Sequence, residues 1–235
     1  VAREYAVFDI VESKVKAEAL DIAQGSQFAP VATVEGSSDM AVIKDADIVV
    51  ITAGAKQKPG QSRLDLAGAT INIMKDVIPK AVEQAPNAIF LMVANPVDVV
   101  TYAGLKISGM SPNQFFGSGT VLDSSRLRYL IAQHCGVSPQ TVHAYIAGEH
   151  GDSEIPLWSS ATIGAVPLLQ WGETVDGDRL DENLREAIHH EVVNSAYSII
   201  EGKGATNYAI GLSVAQIAGT VLRVERRILP VSSLL

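Results

Sequence analysis

The 235-residue chain holds a single cysteine, Cys135, which excludes an intramolecular disulfide. A lone thiol suits a reducing compartment, and the cytoplasm is the expected location. Basic side chains are in short supply, 18 Lys and Arg against 26 Asp and Glu, for a formal net charge of −8. That balance excludes broad binding to nucleic acid or to an anionic membrane, while leaving room for a local basic pocket that takes a small anion. No apolar run reaches the length of a membrane span, and no charged-then-apolar signal segment opens the chain. Repeats, low-complexity tracts and flexible linkers are absent. Neither cysteines nor carboxylates cluster at ligand spacing, so no metal site is expected; His189 and His190 are read as lying on a polar helix surface.

Hydrophobic residues make up 47% of the chain, enough for a substantial core without disulfides or metals. Tyr5–Phe8, Asp47–Ile51 and Ala88–Val93 read as continuous apolar strands, separated by helical patterns around Lys14–Leu20 and Thr70–Val82, the latter carrying Pro79 as a potential kink. Unbroken apolar strands alternating with helices mark a parallel sheet covered on both faces, which places ligands beyond the carboxyl ends of its strands. The second half differs. A helix over Leu122–His134 is stopped by Gly136, and Thr141–Ile146 reads as one strand. A long amphipathic helix over Asp178–Ile200 and a helix over Tyr208–Val224 follow. The expected class is α/β: a Rossmann-type parallel sheet over residues 1–116, followed by an α+β domain over 117–235.

Asp9 follows the first apolar strand. An acid just beyond the second strand of a dinucleotide fold accepts ribose hydroxyls and favours NAD over its 2′-phosphorylated relative. The glycine-rich phosphate loop belongs ~20 residues upstream of that acid. Only eight residues precede Asp9, so the loop and the first strand are expected to be missing and the sheet incomplete. Taken alone, Asp9 reads equally well as a solvated turn residue.

Four segments occur in an order and spacing that resembles the lactate/malate dehydrogenase family, most nearly its L-lactate branch. They are Thr52-Ala53-Gly54-Ala55, Val93-Ala94-Asn95-Pro96, Gly117-Ser118-Gly119-Thr120-Val121-Leu122-Asp123 and Gly148-Glu149-His150-Gly151-Asp152. The resemblance covers essentially the whole chain, from the family's second strand to part-way through its catalytic domain. It implies a fragment that lacks the glycine-rich start and the last strands and helix.

What it implies for the residues is specific. His150 would be the acid/base: reducing a ketone by hydride leaves an alkoxide that needs a proton, and an imidazolium supplies it. Asp123 would orient that imidazole. Arg126, three residues on and hence on the same helix face, would grip the substrate carboxylate bidentately. Arg63 would polarise the carbonyl from a loop made flexible by Gly54 and Gly60. Gln57, Asn95 and Thr206 would line the substrate. NAD would be met by Asp9, Lys14, Thr52, Ala53, Gly54, Ala55, Val93, Ala94, Asn95, Ser118 and Ile210. Gln57 separates the family's branches. Malate dehydrogenases place an arginine there to pair a second carboxylate, and a neutral glutamine leaves that charge unpaired.

Pyruvate and L-lactate are therefore the expected substrates, with a place in glycolytic pyruvate fermentation. Malate dehydrogenase and a truncated non-catalytic subunit stand as alternatives. Arg128, on a different helix face from Arg126, and His143 resemble the pair that binds fructose 1,6-bisphosphate in allosteric members; each also reads as an ordinary surface or strand residue. A homotetramer is implied. Asp76 departs from the family, which more often carries a small hydroxyl residue there.

Overall fold

The computed structural model describes residues 1–30, 32–55 and 63–234, and the side chains from residue 66 onward in the helix that begins at Arg63. The chain divides into two compact units. One comprises residues 1–117, 215–227 and 233–235, the other 118–214 and 228–232.

In the first unit, parallel strands alternate with helices. β1 (Glu4–Phe8) leads into α1 (Glu12–Gln24), then β2 (Thr33–Ser37), β3 (Ile48–Ile51), α2 (Arg63–Gln84), β4 (Ile89–Met92), α3 (Val97–Ser108) and β5 (Phe115–Gly117). All pairings are parallel, but they form two ladders, β1–β2 and β3–β4–β5. A dinucleotide sheet in the order 3-2-1-4-5-6 has its first strand between the strands that correspond to β1 and β3, which is where these ladders are separate. β4 is buried along most of its length. Its Phe90 stacks on Phe115 of β5 at 5.9 Å, and Met74 and Ile78 of α2 and Val100 and Leu105 of α3 complete that core.

Two readings of the sequence need correction here. The helix expected from Thr70 begins at Arg63 and continues through Pro79 to Gln84. The register of buried Leu66, Ala67, Thr70, Met74 and Ile78 carries it, because the packing of an apolar face outweighs one lost backbone bond. α3 is a helix that the sequence pattern does not announce, since its Val97-Asp98-Val99-Val100 opening looks like strand by residue type.

The second unit is built on α4 (Val121–Cys135), which ends at Gly136 in the left-handed conformation (φ 65°). Short strands follow: β6 (Val142–His143), β7 (Ile146–Ala147), β8 (Ile155–Pro156), β9 (Thr162–Ile163) and β10 (Val166–Pro167). Next come α5 (Glu182–Lys203), capped by the Asp181 carboxylate on the Leu184 N–H, and α6 (Tyr208–Leu222), which runs on into the first unit's residues. Leu127, Ile131, Val142, Ile146, Ile163, Ile188 and Val192 form the core, with Trp158 and Trp171 against it.

The single strand expected over Thr141–Ile146 is two pieces in two sheets. β6 pairs antiparallel with β9, and β7 with β8. Across this break the Leu157 N–H, just past β8, donates to the Tyr145 carbonyl (2.9 Å), and side chains of α4 and its N-cap hold the backbone at Ala144 and Ile146. The Thr120 hydroxyl donates to the Ile146 carbonyl (2.6 Å), the Ile146 N–H donates to the Ser124 hydroxyl (2.9 Å), and the Arg128 Nε donates to the Ala144 carbonyl (2.8 Å). Positions 120, 124 and 128 share one helix face, so this face replaces a ladder. No helix of the described residues is long and apolar enough to cross a membrane.

Candidate active site

In the first unit the candidate cofactor residues follow the carboxyl ends of parallel strands: Asp9 after β1, Thr52–Ala55 after β3 and Val93–Asn95 after β4. Asp9 accepts from the Val11 N–H (3.0 Å) and from Lys14 (2.9 Å). The Lys14 ammonium and the Val11 N–H hold its carboxyl below the usual carboxylate range, so it is an ionised acceptor at neutral pH. The turns after β3 and β4 approach closely. A Cβ on Gly54 would lie 3.1 Å from the Ala94 Cβ, and Thr70 beneath them accepts from the Ala55 N–H and donates to the Asn95 carbonyl. A side-chain-free turn after β3 and a half-buried acidic acceptor after β1 fit a dinucleotide: only glycine leaves room for the close approach, and an ionised carboxylate takes two ribose hydroxyls. Thr52, Ala53, Gly54 and Asn95 are exposed and Val93 is half-buried; Ser118, just after β5, is buried. Asp76 pairs with Lys80 (2.7 Å) on an exposed helix face.

In the second unit the elements converge on Asp123. It lies in the first turn of α4, 1% exposed, and both of its oxygens are engaged. Arg126 donates to Oδ1 at 2.8 Å from one helical turn on, and Oδ2 lies 2.5 Å from Nδ1 of His150. The loop that carries His150 closes on itself between β7 and β8, where Ala147 pairs with Ile155 and the Ser153 hydroxyl donates to Glu149. Thr120 and Ser124 clamp Ile146 four residues upstream, so the same short stretch of α4 fixes both the carboxylate and the strand from which the imidazole hangs. Thr206 lies half-buried just before α6, with Ile210 in that helix's first turn. Asp152 accepts from the Tyr197 hydroxyl of α5 (3.2 Å).

Thus the structure brings His150, Asp123 and Arg126 together. Arg128 is tied to the Ala144 carbonyl with its guanidinium 4.7 Å over the Tyr145 ring, and His143 is exposed on the neighbouring strand. Gln57 and the Arg63 side chain, to which the sequence assigns substrate choice and carbonyl polarisation, lie outside the described residues.

Sequence reasoning missed three residues. Thr120 and Ser124 announce themselves only through the i, i+4 spacing with Arg128. Glu154, within a largely polar loop sequence, is 4% exposed and completes a cluster with Asp123 and His150, whose ligand-type atoms lie within 4.8 Å of one another. Burial and the Asp123 charge push its carboxyl up to about 7. The three groups have the spacing of a cation site. Both Asp123 oxygens are nevertheless committed, one to a guanidinium whose charge opposes a second cation.

A sheet suited to a dinucleotide, on the same chain as a carboxylate-oriented imidazole, meets the needs of a nicotinamide-dependent dehydrogenase. Comparison with known proteins narrows that class. Residues 1–117 match the lactate/malate dehydrogenase NAD-binding domain, and residues 120–235 match the alpha/beta C-terminal domain of the same family. An L-lactate dehydrogenase of Bifidobacterium animalis subsp. lactis is 60% identical over all of this chain and 73% of the relative; the L-lactate dehydrogenase B-B chain of Danio rerio is 43% identical over 100% and 70%. Among solved structures, the minor L-lactate dehydrogenase from Enterococcus mundtii superposes with a TM-score of 0.93 at 39% identity, covering 100% of this chain and 74% of that one. The chain belongs to the lactate/malate dehydrogenase family.

Proposed function

We propose that this chain performs the L-lactate dehydrogenase reaction, the reversible conversion of L-lactate to pyruvate, with residues 1–116 as the NAD-binding domain and 117–235 as the catalytic domain. The observation that carries the reading is the 2.5 Å approach of His150 Nδ1 to a buried Asp123 that Arg126 also engages. NAD, when bound, supplies the hydride acceptor for lactate oxidation and, reduced, the donor for pyruvate reduction. Asp9 and the Gly54 turn hold it, with Lys14, Thr52, Ala53, Ala55, Val93, Ala94, Asn95, Ser118 and Ile210 as further contacts.

The chain's own chemistry is proton handling and carboxylate binding. Asp123 takes Nδ1–H, which fixes the tautomer and leaves Nε2 to exchange the proton with the substrate oxygen. In the imidazolium state the same carboxylate stabilises the positive charge. Arg126 uses one guanidinium nitrogen on Asp123 and presents its others to the substrate carboxylate. Arg63 polarises the carbonyl, and Asn95 and Thr206 complete the substrate contacts.

Gln57 sets the choice between pyruvate and oxaloacetate. The test is to measure NADH oxidation by the purified chain with each keto acid. We expect kcat/KM for pyruvate to exceed that for oxaloacetate by at least about tenfold, the scale of leaving one charge without a partner. Equal or better use of oxaloacetate would assign the malate branch instead. The reading further places the protein in the cytoplasm as a homotetramer. Fructose 1,6-bisphosphate would be its effector, bound at Arg128 and His143.

A further inference from the structure

The mechanism makes no use of Glu154, yet this residue is among the most buried acids of the second unit. Among the described residues its Oε1 has no hydrogen-bond partner, although the neighbouring buried Asp123 is paired on both oxygens. A buried carboxyl atom left without a partner is costly, and packing alone would be served by an aliphatic side chain. Its position is held by the hairpin: its N–H donates to the Gly151 carbonyl, and the next residue, Ile155, begins β8 opposite Ala147. Among the described residues, the charged groups that bear on it are Asp123, His150, Arg126 and Asp152. Asp123 and Arg126 face it from α4, and His150 and Asp152 from the loop.

We propose that Glu154 is a positioning residue for proton transfer, a buried carboxyl whose ionisation follows the charge on His150 and sets the pH range over which the imidazolium persists. The electrostatics give the direction. An ionised Glu154 lies within 4.8 Å of the imidazole and favours its charged form, whereas a protonated Glu154 removes that support. Conversely, Asp123 disfavours charge on Glu154, while the imidazolium and Arg126 favour it. Once His150 has given up its proton, Glu154 therefore gains affinity for one, and the cluster resists accumulating net negative charge beneath the substrate. Because burial and Asp123 hold the carboxyl near neutrality, with a value of about 7, this exchange falls within the working pH range.

The inference rests on His150 being the acid of the proposed reaction, and two measurements separate its failure from failure of that reading. The first is the pH profile of kcat/KM for pyruvate reduction by the parent and by Glu154→Gln. The substitution removes the charge with little change of shape, so the alkaline limb is expected to move down by about one pH unit, the scale of one nearby charge. A limb that stays in place in a folded, active variant would overturn the proposal, because a structural defect lowers the plateau without moving the limb.

The second measurement needs no variant: infrared titration of the chain with its glutamates 13C-labelled. A protonated glutamic acid carbonyl band that persists at pH 6 and is lost by pH 8.5 supports the assignment, and its absence at pH 6 sinks it. A parent with no pyruvate turnover at any pH would instead defeat the functional reading, and the infrared titration would still decide the state of Glu154.

Discussion

Asp123 is the residue on which the proposed chemistry turns, because it is almost fully buried and yet receives two cationic or potentially cationic partners. A buried charge is tolerated only when paired, and here the pairing also orients an imidazole. Asp123→Asn keeps the shape but removes the charge, and the amide has a single acceptor oxygen to offer two donors. General acid–base contributions of this kind are worth ~10²–10⁴ in rate. We therefore expect kcat for pyruvate reduction to fall by at least about 10²-fold in steady-state assays. Stability should fall as well, by about 2–4 kcal/mol in urea denaturation, because Arg126 loses its ionic partner. Glu154 behaves in the opposite sense. Its folded-state value of about 7 lies above the ordinary 4.5, so its contribution to stability is complete below 4.5 and is lost as pH rises through about 7.

At the scale of elements, two helices position chemistry by different means. α4 presents Thr120, Ser124 and Arg128 as hydrogen-bonding partners to residues 144–146, so a helix face does the work of a neighbouring strand. α3 is positioned by the absence of a side chain. A Cβ at Gly104 would stand 2.5 Å from Cζ of Phe115 and 3.1 Å from Ile78, deep in the first unit's core. Gly104→Ala gains helix propensity of under about 1 kcal/mol but forces a buried aromatic ring to move. The net expectation is a loss of about 1–3 kcal/mol in chemical denaturation, and a variant as stable as the parent would show that the helix can retreat at no cost.

For the whole molecule, the consequences concern anion response. The chain is acidic overall, with a net charge of −8, so an anionic effector has to find a local cationic site rather than a general field. Arg128 is half-buried, with its guanidinium over Tyr145 and one nitrogen committed to Ala144, and it retains donors for a phosphate. We expect fructose 1,6-bisphosphate to lower the half-saturating pyruvate concentration of the parent, and Arg128→Ala to abolish that response while turnover at saturating pyruvate persists. An identical response in parent and variant would remove Arg128 from the effector site.

How much of this was legible beforehand varied with the type of signal. The apolar runs of β1, β3 and β4 and the glycine stop after α4 could be read directly, because a run of β-branched and aromatic residues and a left-handed cap leave marks on residue type, although only β4 is buried along most of its length. The Gly-Glu-His-Gly-Asp segment, its spacing from Asp123 and the place of Arg126 one turn later were likewise readable. Through the family resemblance they implied an imidazole, an orienting carboxylate and an anchoring guanidinium; the structure brings the three side chains together. α3 was not legible, because its β-branched opening is helical only by virtue of the core it packs on. The break of residues 141–147 into two strands was hidden too, since it depends on side chains of a helix some twenty residues away.

The amino-acid sequence by itself determined the family, the alternation of strand and helix and which histidine is proposed to handle the proton. The tertiary structure alone decided that Oδ2 of Asp123 meets Nδ1 of His150 and that Glu154 is buried beside them. The physical reason is that periodicity and motif spacing record which face of an element is covered. The distance between groups on different elements, and the burial that shifts a carboxyl's ionisation, exist only once those elements pack.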